Sequence, residues 1–195
     1  KAALQISIGG YSSAGVKDEN QDAFAALIPE PTLLINKGAC AVIADGLSCA
    51  DNAADASQLS VTQFIDSFYA TPDTWSVQKS GAKVLTSLNN WLYGQAKTNK
   101  TSQWLTTLSA IVCKSSTAHI FHVGDCRISR LQNNVLETLT REHNHKAAGK
   151  NTVLTRAMGA DTRLDVDYKK VPMENGDIFL LSSDGVFNHL SDKYI

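Results

Sequence analysis

The sequence predicts an α+β domain: strands in packed antiparallel sheets, with helices covering a face. Three observations lead there. Apolar stretches of strand length recur along the chain, separated by turn signals such as Asn133-Asn134 and Asn175-Gly176. Two long helical patterns come one after the other among many strands, so strands and helices do not alternate as parallel βαβ units require. The chain has 195 residues, 43% of them hydrophobic and 19% charged, which is enough material for one domain with its own core.

Taken in order, Leu4, Ile6 and Ile8 alternate with Gln5 and Ser7, the pattern of a half-buried strand that Gly9-Gly10 ends. Residues 12–20 are polar and loop-like. A second strand is expected at 23–28, ended by Pro29 and Pro31. After Lys37-Gly38, Val42 and Ile43 lie in a strand that runs to Asp45. Asp51 or Asn52 caps a helix whose Val61, Phe64, Ile65 and Phe68 form a buried stripe. Thr71-Pro72-Asp73 breaks it, and Thr74 caps a second helix with Val77, Val84, Leu85, Leu88, Trp91 and Leu92 on one face. Gly94 and the Asn99-Lys100 region finish that helix. The remainder reads as mostly β. Hairpins are expected at 106–114 with 117–123 and at 126–131 with 135–139. A brief helix follows at 153–158, then strands at 164–171 and 177–184.

Composition also excludes. A formal net charge of −1 argues against a nucleic-acid or anionic-membrane binder that works by bulk electrostatics. No run of about 18 apolar residues exists to span a membrane, and no signal peptide is expected at the N-terminus. Cys40, Cys49, Cys113 and Cys126 form no C-x-x-C pair, so they read as reduced thiols of a cytoplasmic protein rather than a zinc site.

The chemistry concentrates at two places. Val42 and Ile43 lead into Asp45-Gly46, and a second apolar strand, 178–183, is closed by Asp184-Gly185. A carboxylate at a strand's end projects over the sheet rim. Asp45 and Asp184 are therefore expected to meet in space and hold hard metal ions. Asp22 and Asp125 also lie near predicted strand ends. An all-oxygen donor set without His or Cys suits magnesium, manganese or calcium rather than zinc or copper.

The motifs G-V-K-D-E-N-Q-D-A-F (15–24), V-I-A-D-G (42–46), V-G-D-C-R (123–127), L-T-R-E-H (139–143), L-T-R-A-M-G (154–159) and F-L-L-S-S-D-G-V-F (179–187) come in this order over nearly the whole chain. Together the series resembles the metal-dependent serine/threonine protein phosphatases, the PPM or type 2C family, and its bacterial members in particular. The resemblance implies a central antiparallel β-sandwich with helices on both outer faces, an α-β-β-α four-layer fold, with two manganese or magnesium ions at one end. By that resemblance Asp45 bridges the two metals, Gly46 lends its carbonyl to one, and Asp184 binds the other. Asp22 steadies the waters around them, Asp125 holds a weaker third metal beside Asp184, and Lys17 stands where the family's phosphate-gripping arginine usually is. Two metals neutralise a doubly charged phosphate ester and lower the pKa of a bound water, which then attacks phosphorus in line.

The chain also departs from the family pattern. The family has a further metal-binding Asp in an Asp-Asn motif beyond the last strand. Nothing after Asp184 supplies it, and Asp192 lies in a different motif, so residues 1–195 are expected to form a single domain incomplete at its C-terminal end. Leu47 takes the place of a histidine found in animal members, and the segment between His143 and Val153 is much shorter than the family's flap. His143 and His145 read as solvated or capping, His119 and His122 as packing or surface residues, and Arg127 and Arg156 as partners in structural ion pairs. The function expected is hydrolysis of phosphoserine or phosphothreonine in a phosphorylated protein. The alternative is a catalytically impaired pseudophosphatase that binds a phosphoprotein or kinase. A kinase or sensor domain in the same or a neighbouring chain is an expected partner.

Overall fold

Strand, helix and turn follow one another along the chain in a pattern that places two acidic strand ends side by side. The structure is a computed structural model that describes residues 4–98, 102–146 and 152–191. In chain order the elements are β1 (Asp22–Leu27), α1 (Pro31–Lys37), β2 (Ala39–Asp45), α2 (Ala53–Ala70), α3 (Val77–Thr98), β3 (Leu108–Lys114), β4 (Thr117–Val123), β5 (Arg127–Gln132), β6 (Val135–Thr138), β7 (Asn144–Lys146), β8 (Thr152–Leu154), β9 (Asp167–Pro172), β10 (Ile178–Ser182) and α4 (Asp184–Phe187). One sheet has the order β1-β2-β3-β4-β9 and a smaller one β10-β5-β6, every pair antiparallel.

Side-chain alternation divides the larger sheet into two faces. Val42 and Ala44 of β2, Leu108 and Ala110 of β3, and Phe121 and Val123 of β4 point to one core. Val61, Phe64, Ile65 and Phe68 of α2 and Val84, Leu85, Leu88 and Leu92 of α3 fill that core from above. Each such buried side chain contributes roughly 1.5–3 kcal/mol. The intervening residues, Ile111, Ala118 and Ile120, face the smaller sheet and meet Ile128, Leu139, Phe179 and Leu181 there. The layers are thus a helix pair, a five-stranded sheet and a three-stranded sheet.

Several local expectations need correction. Residues 4–8 form no strand despite their alternation, because among the described residues no strand pairs with them. Pro31 does not merely end β1. It opens α1 at the first helical position, with Glu30 accepting from the Thr32 and Leu33 amides at 2.9 and 3.0 Å, as proline's fixed φ and missing N–H favour. Asn52 precedes α2 but makes no side-chain cap bond; its amide donates to Ser102 Oγ instead. The second helix starts at Val77, and Ser76, not Thr74, caps it by accepting from the Lys79 amide at 3.2 Å. It runs through Gly94, while Asn99-Lys100 lies outside the described residues. Trp91 is half-exposed and meets Trp104 edge-on at 5.5 Å. The expected brief helix at 153–158 is replaced by β8, paired with β7. The hairpin turns stand as expected, with Ser115, Asn133 and Asn134 at φ of 55°, 51° and 62°.

Candidate functional site

Asp45 is the last residue of β2, and the alternation that sends Val42 and Ala44 toward the helices turns Asp45 toward the smaller sheet. Its backbone is held from three sides. Its N–H donates to Thr107 Oγ1 at 2.9 Å, and its carbonyl accepts from the Thr107 amide at 2.8 Å and from Thr106 Oγ1 at 3.0 Å. Gly46 follows because the first residue of α2 crosses it closely. A Cβ there would lie 2.2 Å from the Ala53 carbonyl oxygen, a contact only glycine avoids.

Asp22 sits directly opposite Asp45 in the β1–β2 ladder, so two carboxylates share one face of adjacent strands. Ser183 donates to Asp22 Oδ2 at 2.6 Å, which ties the smaller sheet to the larger at this end. Asp184 comes next. It begins the single turn of α4 rather than ending the strand, and Asn188 donates to its Oδ2 at 3.5 Å. Asp125 follows Gly124 in the link between β4 and β5. Lys17, Asp45, Gly46, Asp125 and Asp184 line one cleft of about 310 Å³, with Thr107, Glu142 and Asn144 also on its walls. Sequence positions as far apart as 17 and 184 are therefore brought together.

The carboxylates of that cleft bear on one another. Burial pushes the Asp45 carboxyl up to about 8, and the charges of Asp22, Asp184 and Asp125 and a hydrogen bond shared with Asp22 add to the shift. Burial and the Asp184 charge also raise the Asp125 carboxyl, with Glu142 adding to them. Among the described residues, no three His, Cys, Asp or Glu side chains stand close enough to enclose an ion as they are. What the cleft offers is carboxylates of Asp45, Asp125 and Asp184 on its walls. The donors are oxygens alone, and such a set fits a hard divalent ion.

Several participants carried no assignment in the sequence reading. Thr106 and Thr107 clamp Asp45, and Ser183 anchors Asp22; both threonines and the serine sit beside recognised motifs, which was the available signal. Glu142, from L-T-R-E-H, takes Arg127 Nε and NH2 on its Oε1 at 2.8 and 2.5 Å. Arg127 lies 3.7 Å over the Phe187 ring. It makes the ion pair expected of it, as does Arg156, which reaches Asp167 Oδ1 at 2.7 Å. His143 is not solvated: it is 4% exposed, because its ring is enclosed by His122, Gly124 and Asp167.

Comparison with known proteins identifies the family and the fold. The sequence profile of the family described as protein phosphatase 2C matches residues 9–194. The serine/threonine phosphatase stp of Listeria welshimeri is 27% identical, across 75% of this chain and 66% of the relative. The chain therefore spans about two thirds of the length of such curated relatives. Among solved structures, serine/threonine phosphatase Stp1 from Staphylococcus aureus superposes with a TM-score of 0.80 at 20% identity, covering 100% of this chain and 84% of that one. The catalytic domain of the serine/threonine protein phosphatase PstP, solved in complex with 2 manganese ions, gives 0.73 at 21% identity, covering 92% and 77%. At these identities the structural likenesses establish the fold.

Proposed function

Since the chain belongs to the protein phosphatase 2C family, we propose that it hydrolyses phosphoserine or phosphothreonine esters in proteins, with two manganese or magnesium ions at the Asp45 cleft. The observation that carries this reading is the placement of Asp22 and Asp45 opposite each other, with the charges of Asp184 and Asp125 also bearing on Asp45. Like charges directly opposite in a ladder are destabilising, and a buried carboxylate needs a partner. Divalent cations supply that partner, and when bound they neutralise the phosphate and lower the pKa of an attacking water. Asp45, Asp184 and the Gly46 carbonyl are assigned as metal donors. Asp22 orders the surrounding waters, and Asp125 serves a weaker third position beside Asp184. Thr106 and Thr107 hold the Asp45 backbone still, which keeps that carboxylate aimed at the cleft. Lys17, exposed at the cleft's edge, meets the substrate phosphate as a point charge.

The test is manganese-dependent hydrolysis of p-nitrophenyl phosphate and of phosphopeptides, with Asp45→Asn as control. Turnover that disappears in the variant supports a phosphatase. Phosphopeptide binding without turnover in the unaltered protein supports the pseudophosphatase alternative, and turnover of nucleotides but not phosphopeptides points to another class of phosphoesterase.

A further inference from the structure

A buried polar cluster lies behind the cleft. His143 is 4% exposed, and its ring centroid is 4.7 Å from that of His122. Its Nε2 is 2.9 Å from Asp167 Oδ2, while Arg156 donates to the other oxygen of the same carboxylate at 2.7 Å. An arginine-paired carboxylate only accepts, so Nε2 carries the ring proton and Nδ1 keeps its lone pair. That lone pair takes the Gly124 N–H at 3.0 Å. The backbones join as well: the His143 N–H donates to the Gly124 carbonyl at 2.7 Å. His122 completes the seat, with Nε2 donating to the Arg141 carbonyl at 2.9 Å and Nδ1 taking the Ser109 hydroxyl at 2.8 Å.

Gly124 is held at φ +111°, and on its other side a Cβ would lie 2.5 Å from the Thr107 side chain. Thr107 is the residue whose hydroxyl takes the Asp45 amide. A glycine is the residue most free to change conformation, and both its polar backbone groups are gripped here by one histidine. Its carbonyl shares a rigid peptide plane with the Asp125 nitrogen, so the grip reaches Asp125.

We propose that His143 is a positioning residue: it fixes the Gly124–Asp125 turn through Nδ1 and so aims the Asp125 carboxylate into the cleft. The metal side of this role rests on the reading of Asp125 as a metal donor. The arrangement has the form of an outer carboxylate–histidine pair that orients a metal-facing group, here acting through a backbone amide.

Two variants test it. His143→Phe keeps the ring shape without the acceptor, and Asp167→Ala, at a 39%-exposed side chain, removes the ring's anchor and decides the matter should the first variant fail to fold. Two readouts are taken: hydrogen exchange of the Gly124 amide in metal-free protein, and calorimetric manganese titration alongside Asp125→Ala. Gly124 exchange should rise about tenfold or more in both variants. The weaker manganese step should lose about tenfold in affinity while the tighter step stays within about twofold. Exchange at the unaltered rate in the folded variants overturns the proposal, as does an unchanged weaker step where Asp125→Ala abolishes it. Should Asp125→Ala itself leave manganese binding intact, the metal reading of Asp125 fails, and Gly124 exchange alone decides the role of His143.

Discussion

Lys17 and Gly124 show how single residues set the terms of the cleft. A lysine meets a phosphate as a compact charge, whereas an arginine forks onto two oxygens. Lys17→Arg is therefore expected to lower KM for a phosphopeptide severalfold, and steady-state kinetics showing an unchanged or higher KM would count against Lys17 as the phosphate contact. Gly124→Ala should destabilise the fold by at least about 1–2 kcal/mol, since alanine resists φ +111° and its Cβ meets Thr107; denaturant unfolding measures it. At this scale the sequence was most legible. Asp45, Gly46, Asp125, Asp184 and Lys17 line one cleft, as a motif series with all-oxygen donors suggests. The role of His143 was not legible, because a loop histidine is polar and exposed by default. Only the approach of β4, β9 and the 155–156 segment encloses it.

Among the elements, the β1–β2 ladder carries the sharpest consequence. Its register sets Asp22 against Asp45, a pairing worth roughly 0.2–1 kcal/mol against stability when both are charged. Above about pH 8, where Asp45 is ionised, Asp22→Asn should therefore stabilise the metal-free protein by that order while weakening manganese binding. Chemical denaturation with and without manganese checks both signs together, and a variant destabilised in the metal-free state at that pH contradicts the account. Element prediction succeeded where periodicity and burial agreed, as in α2, whose Val61, Phe64, Ile65 and Phe68 are all buried. It failed where a pattern lacked a partner or met one unforeseen. The alternation at 4–8 found no ladder, and the 153–158 segment, apolar at Val153 and Leu154, was drawn into β8 by pairing with β7. Pro31 was read as a stop although Glu30 and Pro31 together spell a helix start.

For the whole molecule, the cleft couples stability, proton and metal. Asp45's folded pKa of about 8 lies above its unfolded value near about 3.9. Its contribution is thus fully present below about pH 4 and is lost as pH rises through about 8. His122 has the opposite sense. Burial and the neighbouring His143 lower it to about 4, so its contribution is present above about pH 6.5 and is lost as pH falls through about 4. Manganese displaces the proton at Asp45, so it should abolish the alkaline loss of stability, and its own stabilising effect should fade as pH falls and protons compete for the carboxylate; thermal melts across this pH range, with and without manganese, resolve the two limbs. The two-sheet core with helices over one face followed from the sequence pattern. The four-layer arrangement came from the family resemblance rather than from the pattern of strands and helices. All of this depends on carboxylates from both sheets converging on divalent cations. Anomalous diffraction from manganese-soaked crystals tests it most directly. Manganese peaks bounded by Asp45 and Asp184 are the predicted result, and a cleft without such peaks, or manganese bound only elsewhere, would contradict it.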